Sequence, residues 1–78
     1  MKIYRSGLRR LRELRGLNAI ELAERVGCPV GMVVRAEMGL QLPSSTTDRV
    51  RLAAAYGLPL EEFVRLTLDA AERMERGR

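Results

Sequence analysis

Histidine and tryptophan are missing from this 78-residue sequence, and cysteine and lysine occur once each, as Cys28 and Lys2. These absences exclude whole classes of chemistry: an internal disulfide, a zinc site of the usual Cys/His kind, and a Ser/His or Cys/His nucleophile pair. A lone thiol fits a reducing compartment. Aromatic residues make up only 4% of the chain, and no apolar run approaches the roughly 20 residues of a membrane span. Met1 to Ser6 lead into an arginine-rich stretch rather than an apolar h-region, so we expect no signal peptide, no transmembrane segment and a cytoplasmic location. Nor does a glycine-rich phosphate loop or other cofactor motif occur. The sequence therefore predicts no cofactor, no metal, no small-molecule substrate and no enzyme activity.

What is present describes one small folded domain. Hydrophobic residues make up 46% and charged residues 31% of the chain, and 14 Lys plus Arg stand against 10 Asp plus Glu, for a net charge of +4. That mixture is too apolar for a disordered tail and has room for one core spanning residues 1–78. Nearly all the bases are arginine, whose planar fork suits phosphate and carboxylate. The basic balance makes nucleic acid a candidate partner.

Apolar residues recur at helical spacing, with no sustained alternation of the strand type, so the expected class is all-α. Gly16, Gly27, Gly39 and Gly57 each close a periodic run, dividing the chain into five helices. The first spans about Ser6 to Arg15, with Leu8, Leu11 and Leu14 on one stripe. A second opens at Asn18, which with Glu21 forms a capping-box-like pair, and buries Leu22, Ala23 and Val26. The third runs from Pro29, favoured in a first helical turn, to about Met38, burying Val33 and Ala36. After a loop from Leu40 to Ser45, a fourth helix ends near Tyr56, its stripe formed by Val50, Ala53 and Tyr56. The last starts at about Leu60, with Glu61 and Glu62 in its first turn, and reaches about residue 76.

Two short helices joined across a tight glycine turn have the form of a helix-turn-helix, here at about residues 18–38. From Leu11 to Phe63, about two-thirds of the chain, the sequence resembles the Cro and phage-repressor type of helix-turn-helix domain, the XRE family. The residues that carry the resemblance are Leu11-Arg-Glu-Leu, Gly16-Leu-Asn, Glu21-Leu-Ala-Glu-Arg-Val-Gly27, Val33, Arg35, Glu37, Gly39, Pro43, Leu52-Ala-Ala-Ala-Tyr-Gly57 and Leu60-Glu-Glu-Phe63. The resemblance implies a compact, five-helix, lambda-repressor-like fold, here with an extended C-terminal helix. It further implies a small transcription regulator, acting as a repressor and usually as a homodimer, with double-stranded operator DNA as partner. On that pattern the helix 29–38 enters the major groove, and the N-terminus of the helix from Asn18 meets phosphate. Arg12 and Glu37 match an arginine and a glutamate that pair across the first and third helices, the arginine also reaching a phosphate. The candidate DNA contacts are Arg12, Asn18, Ala19, Val30, Gly31, Met32, Arg35, Gln41 and Ser44.

The recognition helix departs from the usual pattern. Readout of base edges needs donors and acceptors, yet Val30, Gly31 and Met32 occupy its first turns, leaving Arg35 as the strong hydrogen-bonding reader. Ala19 stands where many relatives have glutamine, and the loop that is commonly basic reads Leu40-Gln41-Leu42. Residues 1–17 carry six bases and one acid, whereas residues 28–43 carry one of each. Three readings stay open. In the first, Val30 and Met32 touch thymine methyls, Gly31 permits close backbone approach, Arg35 takes a guanine or phosphate, and DNA shape adds specificity. In the second, Val30, Met32, Val34, Leu40 and Leu42 form an apolar surface for a protein partner. In the third, the helix face is shifted by one position and these residues are core.

On the last helix, Leu60, Phe63, Val64, Thr67, Ala71 and Met74 share one stripe. It serves either dimerisation or a fold-back over the first helix that covers Leu8 and Tyr4, with Leu66 and Leu68 widening either contact. Ser44, Ser45, Thr46 and Thr47 lack a neighbouring base and read as caps. Glu61 and Glu62, being adjacent, cannot share one face as a catalytic pair. Cys28 reads as a small buried hydrophobe or, alternatively, a redox sensor.

Overall fold

Short polar side chains start three of the helices and glycines follow four of them, so local chemistry decides where the chain turns. The computed structural model describes residues 6–76, with side chains up to residue 73. Five α-helices follow in order: α1 (Gly7–Leu14), α2 (Ala19–Val26), α3 (Val30–Glu37), α4 (Thr46–Ala55) and α5 (Leu60–Arg76), with no strand among the described residues. Ser6 Oγ accepts from the Arg9 amide at 3.1 Å to open α1. At the start of α2, Asn18 Oδ1 accepts from the Glu21 amide at 2.8 Å while Glu21 Oε1 accepts from the Asn18 amide at 3.0 Å. Ser45 Oγ accepts from the Asp48 amide at 3.2 Å to open α4. Each satisfies an amide that the first helical turn leaves without a partner.

Pro29 sits one place outside its expected position. With φ −63° and ψ 143° it caps α3 from outside, and the helix begins at Val30. The proline lacks an N–H at a position where no intrahelical acceptor exists, so nothing is lost.

All five helices contribute to a single core. Leu8, Leu22, Ala23, Val33, Ala36, Leu52, Ala53, Tyr56 and Phe63 are buried in it, together with Leu17. The Tyr56 and Phe63 rings stack with centroids 6.1 Å apart. Two apolar residues expected inside lie outside. Leu14 is 83% exposed, because α1 ends there and the turn through Gly16, at φ +71°, delivers Leu17 to the core in its place. Val50 is 48% exposed, because the inward face of α4 is set by Leu52, Ala53 and Tyr56. Arg49 flanks that face and donates Nε to the Pro43 carbonyl at 2.5 Å.

Much of the α5 stripe packs on the protein's own core. Phe63 and Thr67 are buried, Thr67 Oγ1 donating to the Phe63 carbonyl at 3.0 Å, and Leu60 and Val64 pack against the core. Ala71 lies against Gly39 at the end of α3. A Cβ on Gly39 would come within 2.6 Å of the Ala71 Cα and 2.8 Å of the Ala70 carbonyl carbon, so two backbones meet where no side chain fits. Leu66 rests on Gly7, its Cδ2 2.9 Å from where a Cβ would stand, which folds α5 back along α1. The Met74 side chain and Tyr4 lie outside the described residues. A chain this short has little apolar surface to bury, so a long last helix is used to complete the core. Among the described residues no helix is long and apolar enough to cross a membrane.

Candidate nucleic-acid interface

The α2–α3 pair is held by its turn. The Gly27 and Cys28 amides both donate to the Ala23 carbonyl, at 2.8 and 3.1 Å, reversing the chain within three residues so that α3 packs across α2. Val33 and Ala36 of α3 face the core, so its face has the register expected from the sequence and is not shifted by one position. Helical spacing then puts Gly31, Val34, Arg35 and Met38 on the outward crest, with Val30 beside it. Val30, Val34 and Met38 are 42%, 40% and 39% exposed.

Grooves flank this crest on both sides. On one side Ser6, Arg9, Arg12, Ala19, Val34, Glu37 and Met38 enclose about 330 Å³ between α1, the start of α2 and α3. On the other, Met32 and Arg35 face Gln41, Leu42, Pro43 and Ser44 across a cleft of about 90 Å³. The structure therefore gathers the candidate contacts into two sets, Arg12 and Ala19 in the first groove and Met32, Arg35, Gln41 and Ser44 in the second. Asn18 is exposed at the α2 terminus, with its Oδ1 engaged in the cap.

Arg35 is exposed and lies back over Gly31, where a Cβ would stand 3.0 Å from its Nη1. Side chains on a helix lean toward its N-terminus, and the missing Cβ lets this guanidinium lie across the first turn. Met32 and Leu42, by contrast, pack against the core. Both also line the second groove, so Met32 is partly covered, and the exposed apolar residues around the crest include Val30, Val34 and Leu40.

Lining the first groove is a polar group joined by four side-chain hydrogen bonds. Arg12 donates Nε to Glu37 Oε2 at 2.7 Å, Nη2 to Glu37 Oε1 at 3.0 Å and Nη1 to the Leu17 carbonyl at 2.9 Å. Tyr56 donates its hydroxyl to Glu37 Oε2 at 2.7 Å. Three elements, α1, α3 and the end of α4, are thus tied at one carboxylate. The Arg12 and Glu37 side chains are 11% and 8% exposed. Hydrogen bonding to Glu37 raises the Arg12 pKa above its ordinary value, and burial, then the Glu37 charge, pushes the Tyr56 phenol well above its ordinary range. An arginine carries five N–H donors, so two of Arg12 remain for a ligand in the groove.

Arg9 and Tyr56 are the participants that sequence reasoning did not single out. A buried tyrosine hydroxyl calls for a partner, and a glutamate near a helix C-terminus calls for a donor, so both signals were present without indicating that they meet. Cys28 is half-buried, and burial raises its thiol pKa, the opposite of what activates a thiolate. Among the described residues no group of three His, Cys, Asp or Glu is placed to hold a metal ion.

A family model described as a helix-turn-helix domain matches residues 6–66, while no curated protein and no solved structure matches the chain significantly. The match takes in α1 to α4 and the part of α5 that completes the core. Such a domain is the arrangement that presents its second helix to the major groove of DNA. With α3 standing proud between two grooves in that arrangement, the chain belongs to the helix-turn-helix domain family.

Proposed function

We propose that this protein binds double-stranded operator DNA through α3, as a small transcription regulator of the Cro and phage-repressor type that represses by occupying its site. The observation that carries this reading is the crest of α3. Arg35 lies across the first helical turn, where base edges would be met, and each flank offers donors to a DNA strand. Arg12, Arg9 and the open amides at the start of α2 would take phosphate on one flank, and Gln41 and Ser44 on the other. Val30 and Val34 suit thymine methyls, and Arg35 suits guanine O6 and N7. With so few base-edge donors, DNA shape would supply part of the specificity.

The whole chain is read as one domain acting as a homodimer, with two half-sites about one helical turn apart. Selection of a randomised duplex library by the purified protein tests this directly. Enrichment of an inverted repeat is the expected result, and Arg35→Ala should relax one base position by about 1 to 3 kcal/mol. Retention that shows no enrichment and vanishes steeply with salt would refute sequence-specific readout. Failure to retain any duplex would refute DNA binding itself.

A further inference from the structure

One cleft shares no residue with the α3 crest or its flanking grooves. Arg15, Arg25 and Arg51 stand around an open space of about 590 Å³ whose apolar lining is Val26, Ala54 and Ala55. All three arginines are exposed, and no hydrogen bond or ion pair engages their side chains among the described residues. Helix-end electrostatics account for two of them, since Arg15 caps the C-terminus of α1 and Arg25 lies in the last turn of α2, where a cation opposes the carbonyl end of the dipole. Arg51 lies within α4, before its last turn, and has no such role. The Arg15 guanidinium also lies over Gly57, where a Cβ would collide with its Nη2. The absent side chain lets an arginine from α1 reach the end of α4.

We propose that this cleft docks an acidic segment of a second protein, its carboxylates on the guanidinium forks and its apolar side chains on Val26, Ala54 and Ala55. No acidic side chain lines the cleft, so a carboxylate-bearing partner meets the three guanidinium groups there without competition. Guanidinium forks take carboxylates with paired hydrogen bonds. The apolar lining favours a peptide over a sugar-phosphate backbone, which carries no apolar side chain to place there. Since the lining residues differ from those proposed to meet DNA, one chain has separate residues for a duplex and for the acidic segment.

The test is heteronuclear NMR on the full isotope-labelled chain. It is titrated with a short synthetic helical peptide carrying leucine on one face and glutamate on the other, with the same peptide bearing glutamine at every glutamate, and with duplex DNA. Amide shifts at Val26, Arg51, Ala54 and Ala55 should saturate with the acidic peptide. Its binding should weaken about tenfold or more with the glutamine peptide, and again in Arg51→Glu, since close interfacial charge pairs couple this strongly. Arg51 has no bond to lose, and circular dichroism verifies that the variant is folded. Equal binding of the glutamine peptide, larger cleft shifts with duplex than with acidic peptide, or no shift at millimolar acidic peptide would overturn the proposal.

Discussion

Replacing Glu37 with alanine removes the acceptor of three side-chain hydrogen bonds at once, two from Arg12 and one from Tyr56. With only 11% of the Arg12 side chain and 8% of the Glu37 side chain exposed, water entering from the groove replaces only part of what is lost. An uncompensated buried charge costs about 3 to 5 kcal/mol, against about 0 to 1 kcal/mol for an exposed pair. A domain of 78 residues has a total stability of about 4 to 12 kcal/mol, so Glu37→Ala should remove at least about a quarter of it and, at the low end of that range, unfold the chain. Glu37→Gln keeps the volume and one carbonyl acceptor but turns an amide donor toward another donor, and should cost about 1 to 3 kcal/mol. Urea denaturation followed by circular dichroism measures both, with Arg12→Met/Glu37→Leu closing the comparison. If burial is the cause, the double replacement should recover most of the loss, because an apolar pair leaves no charge stranded. A loss under about 0.5 kcal/mol in Glu37→Ala, the range of an ordinary surface change, would refute the reasoning.

Tyr56 makes a pH prediction. Burial and the Glu37 charge raise its folded pKa, so above about pH 10 the unfolded phenol ionises while the folded one does not. The stability it contributes is whole below that pH and should fall by about 1.4 kcal/mol per unit above it; the urea midpoint of Tyr56→Phe should lack this component of the alkaline slope. Gly39→Ala places a Cβ against the α5 backbone as well as in a left-handed conformation, and should cost about 2 to 5 kcal/mol. Gly16→Ala, at a similar φ with nothing within 4 Å, should cost only the conformational part, about 1 to 2 kcal/mol; equal thermal shifts for the two would contradict the close approach. Phe63→Ala should cost about 3 to 5 kcal/mol and Leu68→Ala, at 59% exposure, within about 0.5 kcal/mol. The reverse order in urea would contradict an inward-facing α5 stripe.

Much of the site was legible in the residues because the signals are local. Asn18 with Glu21 marks the start of α2 through contacts three residues apart, and Gly27 marks its end through its own backbone. The inward positions of α3 followed from periodicity, since Val33 and Ala36 are three apart and both are buried. Met32 lies at the edge of the helix face, half-buried against the core, and its neighbour Leu42 comes from a loop that no periodicity describes. Arg9 joined the groove for the same reason: its neighbours come from α2 and α3.

Five helices, their turns and the inward faces of α2 and α3 were legible in the residues alone, because caps, left-handed glycines and helical period act within a few residues. Tertiary structure alone decided which apolar faces are covered and by what. It left Leu14 in solvent where Leu17 takes its place, buried Phe63 and Thr67 of α5 within its own domain, and brought Tyr56 to the Arg12–Glu37 pair. A periodic pattern specifies that a face must be buried. What buries it depends on where the other helices lie, and that is settled only when the whole core packs.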